Sequence, residues 1–166
     1  MQTDKESFSK LMQENKGIVF KVCNSYCSNK NDIEDLAQEI IYQLWKSYSS
    51  YNSEYKFTTW MYKIALNTAI SFYRKVKKTR NTISFEEHLI EIEDDNNSSE
   101  TNQNINLLQQ FINELKELDK ALMILYLEEK SYKEIAEIIG ITETNVATKI
   151  GRIKEKLKQK FSTYNL

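Results

Sequence analysis

The segment that decides the fold runs from Ser131 to Leu157 and has the sequence SYKEIAEIIGITETNVATKIGRIKEKL. Ser131 precedes Glu134 by three residues, which is the capping arrangement that opens a helix. Gly140 can adopt the left-handed conformation that ends this helix, and Thr142 can cap a second one. The apolar stripe of the second helix is Val146, Ile150, Ile153 and Leu157. The segment therefore predicts two helices joined by a tight turn.

The steep crossing of these two helices is typical of a DNA-binding helix-turn-helix. It needs a small side chain at the closest approach and an apolar one reaching back, and Ala136 and Val146 meet these needs. The outward face of the second helix carries short hydrogen-bonding groups and then cations, which suit base edges and phosphates. Its members are Thr144, Asn145, Thr148, Lys149 and Arg152. The alternative, from spacing alone, is a helical hairpin with an ordinary solvated face.

Composition favours long helices over strands. The chain has 166 residues, no proline and three glycines, so a fold rich in tight turns is not expected. It has no apolar run long enough to span a bilayer and no signal-peptide pattern, which predicts a cytoplasmic protein.

Metal, cofactor and catalytic sites are not expected. Cys23 and Cys27 stand four residues apart without a second ligand pair, and they are interpreted as small apolar residues of a helix. A regulatory disulfide or a metal role is the alternative. His88 is the only histidine and stands in a polar stretch, so no histidine-based constellation can be assembled. We expect no cofactor, no metal, no small-molecule substrate and no enzymatic activity.

The net charge of −1 hides two basic blocks. Residues 56–85 carry +7 without one acidic side chain, and residues 130–166 carry +4. Residues 1–55 and 86–129 carry −2 and −10. Each basic block can therefore attract phosphate although the whole chain does not.

Residues 31–45 predict an amphipathic helix with a broad buried face. The apolar residues of that face are Ile33, Leu36, Ala37, Ile40, Ile41, Leu44 and Trp45. The opposite face carries Glu34, Asp35, Gln38 and Glu39. This acidic face is either simply solvated, a weak candidate for a metal site, or a docking surface for a basic partner.

Aromatic residues are concentrated between positions 42 and 62, and those from Tyr48 to Phe57 fall in a polar segment that is predicted to be a loop. Aromatic rings beside cations can stack on unpaired bases, and packing within the loop is the alternative. The following helix, Thr58 to Arg80, has one stripe for a core and another for a polyanion. The core stripe is Met61, Ala65, Ala69, Phe72 and Val76, and the polar stripe is Lys63, Asn67, Ser71, Arg74 and Lys78.

Residues 81–104 are acidic and polar, and they are predicted to form a flexible tether between two domains. Helices resume after it and lead into the helix-turn-helix. The second domain is thus predicted to be a four-helix unit whose last helix contacts DNA.

Three blocks in this order resemble the sigma-70 family of RNA polymerase sigma factors, in its compact extracytoplasmic-function (ECF) subgroup. The blocks are DIEDLAQEIIYQLW, FTTWMYKIALNTAISFYRK and SYKEIAEIIGITETNVATKIGRIKEKL. The resemblance implies an all-α chain with sigma region 2 in residues 1–80, an acidic linker in 81–104 and sigma region 4 in 105–166. Many relatives have a proline near Leu118, which this proline-free chain lacks.

Site residues follow from the resemblance position by position. Core polymerase docking is implied for Asp35, Gln38, Glu39 and Trp45. Capture of a base flipped from the non-template strand is implied for Tyr48, Tyr51, Tyr55 and Phe57. Contact with the minus-ten element is implied for Trp60, Lys63, Asn67, Ser71 and Arg74. The helix-turn-helix face would enter the major groove at the minus-thirty-five element.

The implied partners are promoter DNA and core RNA polymerase, through the clamp helices of its largest subunit and the flap of its second largest. An anti-sigma factor is a further implied partner, and it could hold the chain at the inner face of the membrane. One alternative function is a stand-alone helix-turn-helix regulator. Another is a hydrolase or nuclease using the carboxylates of residues 32–39, which lacks a partner base or metal cluster.

Overall fold

The computed structural model describes residues 2–82 and 100–164. The first range forms α1 (Gln2–Tyr26), α2 (Lys30–Ser47), a 3-10 helix (Tyr48–Ser50) and α3 (Phe57–Thr82). The second range forms α4 (Glu100–Asn113), α5 (Glu117–Leu127), α6 (Tyr132–Ile139) and α7 (Glu143–Tyr164). Neither range contains a strand, so the prediction of an all-α fold is confirmed. Among the described helices, none has the length and apolar character needed to span a membrane.

The first domain consists of α1, α2 and α3, which pack on one another around a shared core. Asn29 caps α2, since its side-chain oxygen accepts a 2.8 Å hydrogen bond from the backbone N–H of Asp32. The predicted core stripe of α3 is confirmed: Met61, Ala65 and Ala69 are fully buried, while Phe72 and Val76 are half-buried. The polar stripe of α3 consequently faces outward.

The buried face of α2 is narrower than the sequence predicted. Leu36, Ile40 and Leu44 are fully buried, but Ile41 and Trp45 are 43% and 44% exposed. The prediction that Ile41 and Trp45 are buried is therefore wrong. Apolar residues at steps of three and one extend over more of the helix circumference than α1 and α3 cover. Their uncovered side chains form an apolar patch on the outer side of α2.

The second domain consists of α4, α5, α6 and α7, as predicted. The buried residues of α7 are Val146, Ile150, Ile153 and Leu157, which confirms the predicted stripe. On α6 the buried residues are Ile135, Ala136 and Ile138. These two stripes pack together and against α5, so the helix-turn-helix is held to the rest of the second domain by apolar contacts.

α5 begins at Glu117, in a chain that contains no proline. Two residues after its end stands a left-handed residue, Glu129, whose φ is 58°. The N–H groups of Glu129 and Lys130 donate to the carbonyl oxygens of Tyr126 and Leu125, at 3.0 and 3.1 Å. This pair of bonds is the Schellman motif, which usually has glycine at the left-handed position.

The segment predicted as a linker is helical at both of its ends. α3 continues to Thr82, and α4 begins at Glu100, so residues 81–82 and 100–104 belong to helices. The first turn of α4 contains asparagine and glutamine and has no apolar periodicity. For this reason the sequence did not predict a helix there. Residues 83–99, including His88 and the most acidic stretch, lie outside the described residues. The domain boundaries at 80 and 105 remain predictions.

The two domains pack against each other, which the sequence did not predict. α5 contacts α1 and α3, and α6 contacts α3. We call this contact the domain joint. Its polar and aromatic members are Lys21, Tyr26, Tyr62, Tyr73 and Arg74 from the first domain, and Glu117, Lys120, Glu128 and Lys130 from the second. Buried apolar residues of both domains belong to one continuous cluster.

Candidate nucleic-acid interface

The turn of the helix-turn-helix is held by side-chain caps and one glycine. The Oγ of Ser131 accepts a 3.1 Å hydrogen bond from the N–H of Glu134 at the start of α6. Gly140 ends α6 with a φ of 82°, a conformation that favours glycine. The Oγ1 of Thr142 accepts a 3.1 Å hydrogen bond from the N–H of Asn145. The predicted start and end of the turn are therefore confirmed.

The outward face of α7 presents most of the residues selected from the sequence. Thr144, Asn145, Thr148 and Arg152 are exposed, and Lys149 is half-buried. The hydroxyl of Thr148 donates to the carbonyl oxygen of Thr144 at 3.0 Å, so its oxygen remains able to accept a bond from a ligand. This arrangement offers short polar groups near the N-terminus of α7 and a guanidinium two turns further on.

Lys154 is a cation of α7 that contacts α5 and was not among the predicted site residues. Its Nζ lies 4.1 Å from the centroid of the Tyr126 ring, a cation-π distance. The hydrogen bond with the Tyr126 side chain is the main cause that raises the pKa of Lys154. Lys154 therefore carries its positive charge on the side of α7 that faces α5, away from Arg152. The alternating lysines at 154, 156, 158 and 160 were the signal for it.

A second cationic face runs along α3. Lys63, Asn67 and Ser71 are exposed on it, as predicted. Arg74 is also on the surface, with 66% of its side chain exposed, but its Nε lies 3.3 Å from the Oε1 of Glu117 in the second domain. One end of this face is therefore engaged by a carboxylate of the same chain.

Aromatic rings between α2 and α3 form a continuous cluster, which we call the aromatic cluster. Its members are Phe8, Trp45, Tyr48, Tyr51, Phe57 and Trp60. The rings of Tyr51 and Trp60 are 5.0 Å apart, and Tyr48 stacks on Tyr51 at 6.2 Å with an interplanar angle of 19°. Three of the four aromatic residues assigned to base capture, Tyr48, Tyr51 and Phe57, are thus packed against other rings.

Tyr55 is the one of these four residues whose ring projects from the surface. Its side chain is 63% exposed, while the loop beneath it is held in place. The hydroxyl of Tyr51 donates a 2.8 Å hydrogen bond to the carbonyl oxygen of Tyr55. The backbone N–H of Tyr55 donates to the carbonyl oxygen of Asn52 at 3.1 Å. An exposed ring on an ordered loop is suited to stacking on an unpaired base.

The acidic face of α2 lies beside the apolar patch. Asp35, Gln38 and Glu39 are exposed, and Trp45 and Ile41 follow along the same outer side by helical spacing. Among the described residues, no grouping of histidine, cysteine and carboxylate side chains could hold a metal ion. An exposed apolar patch beside carboxylates is a combination typical of a protein-docking surface.

The two cysteines lie at the end of α1. Both are thiols outside any disulfide; Cys23 is fully buried and Cys27 is half-buried. Burial, followed by the nearby Cys27, raises the pKa of Cys23 to about 12. Cys23 is therefore protonated at neutral pH and serves as a small core residue, as the sequence suggested.

Comparison with known proteins matches both domains to one family. Sigma-70 region 2 matches residues 11–79, and Sigma-70, region 4 matches residues 105–157. The RNA polymerase sigma factor YlaC of Bacillus subtilis is 32% identical, over 76% of this chain and 75% of its own. The ECF RNA polymerase sigma-E factor of Haemophilus influenzae is 28% identical, over 96% of this chain and 89% of its own.

Solved structures show the same fold. The sigma factor RpoE of Bartonella quintana, in complex with the anti-sigma factor NepR, superimposes with a TM-score of 0.71 at 18% identity. The match covers 93% of this chain and 96% of the RpoE chain. The order of the two regions, the helix-turn-helix and the identity to YlaC lead to one conclusion. The chain belongs to the sigma-70 family of RNA polymerase sigma factors, in its extracytoplasmic-function subgroup.

Proposed function

We propose that this chain binds core RNA polymerase and directs it to promoters through the minus-ten and minus-thirty-five elements. Sigma factors are specificity factors of transcription initiation, so the chain itself carries out no reaction. The observation that carries the proposal is the pair of outward cationic faces, on α3 and α7, each within its matching sigma region. Two separate faces can contact two separate DNA elements when a larger enzyme holds the two domains in place.

The first domain, in residues 1–80, would dock on polymerase and contact the minus-ten element. Docking uses Asp35, Gln38, Glu39 and Trp45 on α2, against the clamp helices of the largest subunit. The exposed side chain of Ile41, beside Trp45, extends this surface. Apolar burial supplies the affinity of such a contact, and the carboxylates supply its orientation.

Base capture would centre on Tyr55. Its exposed ring can stack on a base that leaves the duplex, while Tyr51, Trp60 and the other cluster rings form the wall behind it. Stacking contributes about 1–3 kcal/mol per base, which offsets the loss of stacking in the duplex. Lys63, Asn67, Ser71 and Arg74 would then follow the strand along α3.

The second domain, in residues 105–166, would contact the minus-thirty-five element. The N-terminal part of α7 enters the major groove, where Thr144, Asn145 and Thr148 meet base edges. Arg152 and Lys149 reach a guanine or the phosphates. The domain would also contact the flap of the second-largest polymerase subunit, and residues 81–104 would connect it to the first domain.

An anti-sigma factor is a further proposed partner. The Bartonella quintana relative was solved with an anti-sigma factor bound, and its fold matches this chain over nearly its whole length. We place the chain in the cytoplasm, where such a partner could also hold it at the inner face of the membrane.

Run-off transcription tests this function. Purified core polymerase is incubated with genomic fragments, with and without the chain, and the transcripts are mapped. We expect discrete start sites that require the chain and disappear with Trp45→Ala, since this variant removes the docking ring. Lys133→Ala, which removes an exposed cation of α6, is the matched control and should transcribe normally.

The competing function is a stand-alone regulator, and a gel shift separates the two. A sigma factor with two small cationic faces makes few phosphate contacts by itself, so we expect specific retardation of promoter fragments only with core polymerase. Strong specific binding without polymerase, or failure to associate with core polymerase, would overturn the proposal.

A further inference from the structure

One carboxylate lies in a stretch of the chain that is otherwise basic. Residues 40–85 contain eight lysine and arginine side chains but a single acidic one, Glu54. It lies in the loop of residues 51–56, between the 3-10 helix and α3, which we call the capture loop. A negative charge there repels the phosphates of a DNA strand. We therefore expect Glu54 either to hold the loop together or to contact a base.

The turn of the capture loop does not depend on the carboxylate of Glu54. The turn closes when the backbone N–H of Tyr55 donates a 3.1 Å hydrogen bond to the carbonyl oxygen of Asn52. Ser53 and Glu54 form its exposed tip. The Oδ1 of Asn52 also accepts a 3.0 Å hydrogen bond from the backbone N–H of Glu54. Both bonds use backbone donors, so they can form with other side chains at position 54.

The carboxylate itself is largely uncommitted. Within the ranges that the structure describes, its side-chain hydrogen bond comes from the Nδ2 of Asn52 and is 3.4 Å long, which is weak. It makes no ion pair with any lysine or arginine of those ranges. Its residue is exposed, so both oxygens can accept hydrogen bonds from a ligand.

The loop holds Glu54 next to the exposed ring of Tyr55. On one side, Asn52 fixes the backbone through the two bonds of the turn. On the other, the hydroxyl of Tyr51 donates a 2.8 Å hydrogen bond to the carbonyl oxygen of Tyr55. A loop that is ordered in advance loses little conformational freedom when it binds. A base that stacks on Tyr55 would therefore meet the carboxylate at its edge.

A carboxylate can distinguish the four bases by their hydrogen-bond donors. When ionised it only accepts hydrogen bonds, and a base that has left the duplex is read along its Watson–Crick edge. Adenine, cytosine and guanine each present an exocyclic amino group on that edge, and guanine has a ring N–H beside it. Thymine presents one ring N–H between two carbonyl oxygens, which repel a carboxylate. The chemistry of Glu54 thus disfavours thymine.

We propose that Glu54 determines which base is captured, by accepting a hydrogen bond from the exocyclic amino group of that base and rejecting thymine. This inference rests on the proposed function, because it requires that the loop captures a base. Tyr55 supplies stacking, which every base can provide, and Glu54 supplies the choice among bases. Guanine binds best, since its two neighbouring donors match the two oxygens of the carboxylate.

The test uses core polymerase loaded with the full chain. The probe is DNA from a promoter found by run-off transcription, with the minus-ten segment of its non-template strand left unpaired. Each base of that segment is removed in turn. The captured position is the one where removal weakens binding by the parent chain but not by Tyr55→Ala, since that variant has already lost the stacking contact.

Each of the four bases is then placed at the captured position. We expect the parent chain to bind the thymine probe about five- to tenfold more weakly than the guanine probe. In Glu54→Gln the difference should fall to about twofold or less, because an amide can also donate to the carbonyl oxygens of thymine.

Glu14→Gln is the matched control, since it removes one negative charge at an exposed position of α1. It should affect the four probes equally and keep the preference of the parent chain. Thymine bound as tightly as guanine by the parent chain would overturn the role of Glu54 and leave the proposed function intact. An undiminished preference in Glu54→Gln would do the same.

Failures at earlier steps have a different meaning. If a promoter is found but no position behaves as captured, base capture and the role of Glu54 are both wrong, while direction of polymerase to promoters stands. If run-off transcription yields no promoter, the proposed function fails, and the role of Glu54 fails with it.

Discussion

The hydroxyl of Tyr26, on the last residue of α1, donates a 2.7 Å hydrogen bond to the carbonyl oxygen of Glu117, on the first residue of α5. This single bond joins residues 91 positions apart and links the two sigma regions. It belongs to the backbone of Glu117, so it persists whatever the charge of the Glu117 side chain.

Replacing Tyr26 by phenylalanine should destabilise the folded chain by about 0.5–1.5 kcal/mol, because it removes a partly buried hydrogen bond and keeps the ring against Lys120. The free energy of unfolding in urea measures the effect. Tyr73→Phe keeps the other ring beside Lys120 and is the control. Equal losses in the two variants would show that the bond to Glu117 contributes nothing specific.

Acid should weaken the domain joint through Glu117. A backbone hydrogen bond, and next the Arg74 side chain, lower the pKa of the Glu117 carboxyl below its usual range. The charged form is therefore the stabilising one. Its contribution is present above the unfolded pKa of about 4.3 and is lost as the pH falls through the lower folded value.

The stability difference between the parent chain and Glu117→Gln measures this contribution over a pH series. It should be constant near neutrality and shrink below about pH 4. A difference that grows on acidification would contradict the assignment.

Gly151 tests whether α7 lies close to DNA. It occupies the outward face of α7, three residues after Thr148, and a Cβ added there would meet nothing within 4 Å. Gly151→Ala should therefore stabilise the free chain by about 0.5–1 kcal/mol through helix propensity. We expect it also to weaken binding to the minus-thirty-five duplex, since the added methyl group would meet the groove.

Gly17→Ala makes the same change in α1, again in open space. It should give a similar stabilisation and leave duplex binding unchanged. Thermal unfolding and duplex titration measure both effects. If Gly151→Ala binds the duplex as tightly as the parent does, this face of α7 is not the one in the groove.

Glu129→Gly should stabilise the second domain by about 0.5–1 kcal/mol, because Glu129 holds a left-handed position where a side chain is strained. Glu129→Ala removes the same carboxylate and keeps the strain, so it serves as the control. Denaturant unfolding of both variants separates the two effects. A gain that is equal in both would assign the effect to charge and not to φ.

Arg152→Ala should weaken promoter binding by about 1–3 kcal/mol if its guanidinium contacts a guanine in two places. Lys149→Ala should weaken it less, because Lys149 is half-buried and reaches fewer phosphates. Transcription from a mapped promoter at fixed salt measures both, with Lys133→Ala as the control. Equal transcription by both variants and the parent would count against this face of α7.

The helix-turn-helix was predictable because every signal for it is local. Ser131, Gly140 and Thr142 determine where its helices begin and end through bonds to backbone groups three or four residues away. The stripe from Val146 to Leu157 needs only the helical period. Local chemistry and tertiary packing agree at each of these positions.

The features that were predicted wrongly, or not predicted at all, depend on long-range contacts. Whether Ile41 is buried depends on how much of α2 its neighbours cover, and periodicity alone does not contain this information. The domain joint joins positions far apart in the chain, and only the run of apolar residues in α5 hinted at a second partner. Likewise, the sequence grouped Tyr55 with Tyr48 and Tyr51, although packing leaves only the ring of Tyr55 projecting from the loop.

The contrast between the two thiols at the end of α1 has a practical use. Cys23 has no exposed surface and stays protonated, whereas Cys27 is partly accessible and near enough to Lys120 to influence its charge. An alkylating reagent should therefore modify the folded chain at one position, with a stoichiometry of about one. That position is a native attachment point for a fluorophore, next to the contact between the two halves of the molecule.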